Sequence, residues 1–220
     1  MSERKSYSNR IESFDQVSGL SVDRIKALSD GVFAIALTLL VLDIGIPARD
    51  QIISESDLAN AFGRLTPKLL TYFLSFLTLG IFWTVHTSQF HFVEKSDRNF
   101  NWINLFFLLC VTIMPFTTAF LSEFIEFKLA VGVYWLNLFL IGVALFWILR
   151  YAVQHNLLKN HLAKESGTIR VMMKRGLIAQ SLYAFGALFS FINTYISIAA
   201  LISVQLFFVF GSFRTLKRRR

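Results

Sequence analysis

The chain has 220 residues, 55% apolar and 16% charged, with 24 phenylalanines, where an average soluble protein is about 45–50% apolar and about 25% charged. That balance excludes a disordered chain, a nucleic-acid-binding arm and an ordinary cytosolic enzyme. The single cysteine, Cys110, sits in an apolar run, which excludes a disulfide framework or a zinc cluster. The formal net charge of +8 takes its meaning from basic clusters that alternate with apolar runs, and no nucleic-acid partner is expected.

A helix that crosses about 30 Å of hydrocarbon needs about 20 mostly apolar residues. Six stretches meet or approach that length: Ala27–Ile46, Leu69–Phe92, Phe100–Leu121, Leu129–Leu149, Arg175–Ile192 and Tyr195–Phe213. The predicted fold is an all-α membrane protein with six transmembrane helices per subunit. Residues 1–23 form an N-terminal segment, residues 24–213 the transmembrane domain, and residues 214–220 a basic tail. The longest polar link runs from Pro47 to Pro67, and a basic one runs from Arg150 to Lys174. Spans five and six are joined by little more than Asn193 and Thr194, which predicts a tight antiparallel hairpin.

Basic loops stay in the cytoplasm, so orientation follows from Lys and Arg alone. Eighteen of these residues fall on the side of the two termini and four on the other: Arg49, Arg64, Lys68 and Lys128. The expectation is a multi-pass protein of the cell (inner, plasma) membrane with both termini cytoplasmic, its basic surplus facing anionic lipid. The apolar run Gly31–Leu42 has the look of a signal peptide, but a polar leader precedes it and five more spans follow. It is read as a retained helix.

The first span is the most informative. Asp30 and Asp43 bracket twelve residues whose only polar side chain is Thr38. A charge at membrane depth costs at least about 2.5–3.5 kcal/mol, so such residues should face protein or water. At about 100° per residue, Ile35, Thr38, Leu39 and Leu42 share one face, with Gly31 and Leu28 extending it. Ser29 and Asp30 point away from that face, towards neighbouring helices. On periodicity alone the stripe is equally what helix packing or lipid contact produces, and Ser29 with Asp30 is also an acceptable helix cap.

Arg24, followed by Ser29-Asp30 and the apolar run, resembles the Arg-x-x-x-Phe-Ser-Asp signature of the transmembrane protein 175 potassium channels. Phe82-Trp83, His86, Asn104 and Pro115-Phe116-Thr117 fit the same pattern, and the similarity extends from Arg24 to Phe213. One signature position departs, with Leu28 where the family has Phe. A single six-span unit resembles the prokaryotic members, which assemble as homotetramers. The resemblance implies that four copies of the first helix surround a pore for K+, with no cofactor and no bound metal beyond the permeating ion. Ile35 would then form a hydrophobic constriction, with Leu39 and Leu42 lining the wider part. Thr38 would supply the selecting hydroxyls. Arg24, Ser29 and Asp30 would tie the pore helix to its neighbours, together with Trp83, His86 and Asn104.

No Gly-Tyr-Gly filter sequence is present, so selectivity would rest on side chains and pore width. The expected activity is a leak-type, weakly selective cation channel favouring potassium. Asp43 is read either as an acid at the outer mouth or as one simply exposed to water. The alternative function is a secondary transporter or proton-coupled carrier, disfavoured because the acids lie towards helix ends and not at the midplane. An intramembrane enzyme is disfavoured because no nucleophile–base or His-Glu-x-x-His arrangement occurs.

Overall fold

The computed structural model describes residues 21–49, 52–159 and 166–217, with side chains up to residue 210. Among the described residues the chain is helical throughout, apart from turns and one isolated bridge between Val93 and Leu158. The helices are α1 (Val22–Leu42), α2 (Glu55–Arg64), α3 (Thr66–Phe92), α4 (Arg98–Glu123), α5 (Lys128–Gln154), α6 (Ser166–Leu188) and α7 (Thr194–Lys217). The bundle has a proximal end, where α1 starts, and a distal end opposite it.

Helix α1 starts at Ser21, whose hydroxyl accepts from the Arg24 amide, and Asp23 in its first turn complements the helix dipole. It ends at Asp43, after which Gly45 takes the left-handed φ of +64° that turns the chain. Its buried residues, Ile25, Ser29, Phe33, Ala36 and Leu40, lie along one flank that packs on α3 and α4. Helix α3 opens with Pro67 in its first turn, where the missing N–H costs nothing. Helix α4 is capped by Asp97, which accepts from the Phe100 amide at 2.7 Å, and carries Pro115 within it. It is the hub of the bundle, packing against α1, α3 and α5 around Phe33, Phe100, Phe107, Val111, Met114 and Tyr134.

Four helices, α1, α3, α4 and α5, are long and apolar enough to cross a membrane, and α7 has a shorter apolar stretch over Thr194–Phe210. They coincide with the first four expected spans. The fifth differs: α6 begins at Ser166, takes in Arg170, Lys174 and Arg175, and gives way to a 3-10 turn at Phe189–Phe191. An apolar window finds the greasy part of a helix but not its basic first turns. The sixth expected stretch lies within α7. Most of the N-terminal segment and the end of the basic tail fall outside the described residues.

The polar link after α1 also differs from expectation, because it contains α2. Ser54 and Asp57 form a reciprocal capping box at its start. The Asp57 carboxylate accepts from the Ser54 hydroxyl at 2.7 Å and from the Ser54 and Ile53 amides at 3.0 and 3.3 Å. These bonds, the hydroxyl first, hold its carboxyl below the usual carboxylate range. The support they give α2 is complete above the unfolded carboxyl's pKa and is lost as pH falls through the depressed one. Amide protection factors over residues 53–58, taken against the intrinsic rate at each pH, should therefore fall on acidification, and Asp57→Ala should show the lowered protection already at neutral pH. Equal protection in both proteins at neutral pH would deny the box any role.

Candidate functional site

Three transmembrane helices are joined by a buried hydrogen-bond chain at the proximal end. The Ser29 hydroxyl donates to the Ile25 carbonyl at 2.8 Å, leaving its oxygen to accept from Asn104 Nδ2 at 3.3 Å. The Asn104 Oδ1 meets His86 Nε2 at 2.9 Å, which makes Nε2 the protonated ring nitrogen. The His86 ring is itself held between aromatic faces, with Phe90 at 4.3 Å and Phe107 at 4.9 Å between centroids. Beside this chain Asp30 accepts from Trp83 Nε1 at 2.8 Å, a second α1–α3 link, made at the exposed edge. Each interhelical bond of this kind within a bilayer is worth about 0.6 kcal/mol, and up to about 1.7.

Arg24 lies exposed below this chain, and among the described residues it makes no ion pair. Leu28 is also exposed, so the position at which the signature carries Phe contributes nothing to this subunit's core. Asp43, read as an acid of the outer mouth or as one exposed to water, is half-buried: its Oδ2 accepts from the Ser122 hydroxyl at 3.2 Å, and its main-chain carbonyl from Lys68 Nζ at 3.5 Å. It ties the distal end of α1 to α4.

The opposite flank of α1 is exposed among the described residues. Ile35 is 61% exposed and Leu42 72%, with Leu39, Thr38 and Gly31 exposed beside them. The Thr38 hydroxyl donates to the Ile35 carbonyl at 2.8 Å, so its proton is occupied and its lone pairs are left free on the exposed side. A hydroxyl fixed in this way is an acceptor.

A second polar cluster, which sequence reasoning missed, lies in the distal half. Tyr134 is fully buried and its hydroxyl reaches both Ser75 and Thr78 at 3.2 Å. Thr118 bonds the Ser75 hydroxyl at 2.7 Å, and Gln205 of α7 donates to Thr78. Asn137 donates to Thr117 at 3.3 Å. Leu79, Phe82 and Phe107 form an apolar belt between the two polar layers. The readable signal was Thr71, Ser75 and Thr78, recurring at helical spacing inside an apolar span. Nearby, Gly142 leaves the notch in which the Gln180 amide sits, since a Cβ there would lie 1.5 Å from Gln180 Nε2. Among the described residues no cluster of His, Cys, Asp and Glu is arranged to hold a metal ion.

Residues 24–115 match the model of the family described as the endosomal/lysosomal potassium channel TMEM175. That range takes in α1, α3 and α4 as far as Pro115. A protein of Chamaesiphon minutus named as a potassium channel is 30% identical over 192 residues, spanning 86% of this chain and 94% of its own. The chain belongs to the TMEM175 family. A Streptomyces collinus protein, also named as a potassium channel, is 42% identical over 103 residues, 47% of this chain and 48% of that one. The TMEM175 of Gallus gallus, named as an endosomal/lysosomal proton channel, is 37% identical over 129 residues. The matched region thus spans about half of the Streptomyces relative and 26% of the Gallus one.

The crystal structure of a lysosomal potassium-selective TMEM175 homologue from Chamaesiphon minutus superposes with a TM-score of 0.75 at 28% identity. It covers 87% of this chain and 97% of the other. A second TMEM175 structure, MtTMEM175 bound to a nanobody fusion, has a TM-score of 0.54 at 19% identity and supports the fold. Membership of TMEM175 places the chain among multi-pass ion-channel proteins and not among enzymes.

Proposed function

We propose that the chain is the subunit of a homotetrameric, weakly potassium-selective leak channel of the plasma membrane, with six spans, both termini cytoplasmic and no cofactor. The observation that carries this reading is the division of α1 into two flanks. One is buried against α3 and α4, while the other exposes Ile35, Leu39 and Leu42 with one hydroxyl among them. The potassium-channel names of the bacterial relatives supply the ion. Four such flanks facing one axis form an apolar conduit.

A ring of Ile35 side chains offers no ligand to a stripped cation, so it empties of water when narrow and passes a partly hydrated ion when wide. One turn away, four Thr38 oxygens with their protons turned to the backbone replace part of the ion's lost water. Ser29, Asp30, Trp83, His86 and Asn104 hold the proximal end of the pore helix, and Arg24 completes the signature at its entrance. Asp43 anchors the distal end near the mouth.

The test is recording from the purified protein in planar bilayers under opposed potassium and sodium gradients. Wild type is expected to reverse on the potassium side of zero. Thr38→Ala is expected to lower the K+/Na+ permeability ratio by about threefold or more, because hydroxyl ligands at the selecting layer are lost. An unchanged ratio removes Thr38 from the permeation path, and saturable flux with fixed proton stoichiometry replaces the channel with a carrier.

A further inference from the structure

A cleft of about 290 Å³ opens at the distal end, between the turn joining α4 to α5 and the turn joining α6 to α7. Glu126 and Lys128 line one side, and Ser190, Asn193 and Thr194 the other. Lys128 Nζ lies 5.5 Å from the centre of the Phe191 ring, and among the described residues neither Lys128 nor Glu126 forms an ion pair. Ser190 and Thr194 are each only 6% exposed, and what they expose lines the cleft. Their hydroxyls can donate to an acceptor held in the cleft.

Two long helices also begin here. Asn193 Oδ1 satisfies the first amides of α7, at Tyr195 and Ile196, but α5 starts at Phe127 with no side-chain cap. Its first N–H groups and the positive end of its dipole add to the Lys128 charge. The combination favours an anion, while the unpaired Glu126 carboxylate beside it favours an ammonium. Around the rim Phe127, Leu129, Phe191 and Ile192 are exposed apolar side chains, at the depth where the membrane-crossing helices end. The cleft therefore presents an anion site, a cation site and a greasy border together.

We propose that this cleft binds the phosphoethanolamine headgroup of a membrane lipid. The phosphate sits on Lys128, the start of α5 and the Ser190 and Thr194 hydroxyls. The ammonium sits on Glu126, and the acyl chains run over Phe191, Ile192 and Leu129. Free phosphate shares the first of these interactions and lacks the other two. A choline headgroup carries the charge but no N–H to donate to Glu126. The proposal is independent of whether the protein conducts ions.

Native mass spectrometry of the full-length protein in detergent tests it, with palmitoyl-oleoyl phosphatidylethanolamine, the matching phosphatidylcholine, glycerophosphoethanolamine and inorganic phosphate as separate probes. Wild type is expected to retain the ethanolamine lipid in preference to the choline lipid. Lys128→Gln, an exposed change that should leave the melting temperature unaltered, is expected to weaken that binding about tenfold, the loss of one charge-assisted hydrogen bond. Glu126→Gln is expected to abolish the preference between the two lipids, and Ser190→Ala to weaken both. Equal retention of the ethanolamine lipid by wild type and Lys128→Gln overturns the site. Displacement of the lipid by millimolar inorganic phosphate as readily as by glycerophosphoethanolamine makes it a small-anion site and overturns the lipid assignment.

Discussion

Ile35→Asn is expected to raise potassium conductance in planar bilayers by at least about tenfold, equivalent to about 1.4 kcal/mol taken off the barrier at the narrowest ring. The physical basis is wetting. A branched apolar side chain repels the water that an ion needs to carry with it, whereas an amide of similar volume offers that water both donors and acceptors. Ile35 is 61% exposed and lies outside the buried core, so the change is expected to leave folding intact. Ile35→Ala should act in the same direction by widening the ring without adding polarity. Unchanged conductance in both variants, from protein that still reconstitutes, would place Ile35 outside the conduction path.

Asn104→Leu is expected to destabilise the protein by about 2 kcal/mol, read as a lower melting temperature of the purified protein. Leucine keeps the volume but ends both bonds that Asn104 makes, one to Ser29 and one to His86. His86 Nε2 is then left as a buried donor, and α4 loses its polar hold on α1 and α3. A double-variant cycle with His86→Ala should show coupling, because the two changes remove the same bond. Strict additivity, with each single change costing little, would mean that packing of Phe33, Phe90 and Phe107 holds these helices without the hydrogen bonds.

The first four spans are legible from apolar length alone, because the bilayer sets how many residues a helix needs. α2 was hidden by the same reasoning: a polar stretch between spans reads as a link, although Ser54 and Asp57 at capping-box spacing mark a helix start. For α6, Arg170 and Lys174 pushed the expected span later than the helix actually begins. At the proximal end the resemblance nominated Arg24, Ser29, Asp30, Trp83, His86 and Asn104 as a group, of which Arg24 lies exposed outside the hydrogen-bond chain. Which atom bonds which was not legible, since pairing Asn104 with both Ser29 and His86 depends on the relative depth of three helices.

The distal cluster was illegible for a different reason. Ser75, Thr78, Tyr134 and Gln205 are neutral, and neutral polar residues in an apolar span give no electrostatic warning of burial. Acids and histidines stand out in such a span because their desolvation is costlier, while these hydroxyls and amides satisfy one another across α3, α4, α5 and α7. The hydrogen bond that Asp43 accepts from Ser122 depends on a neighbour that periodicity along α1 does not reveal.

The two flanks of α1 separate architecture from tuning. Phe33, Ala36 and Leu40 carry the interior contacts of its middle turns, while Ser29 and Asp43 pin its ends to the same neighbouring helix. Ile35, Thr38, Leu39 and Leu42 bear none of that burden. Side chains on the outward flank can therefore be exchanged without endangering the monomer that presents them, so the proposed conduit can be altered by substitution independently of the subunit's own stability.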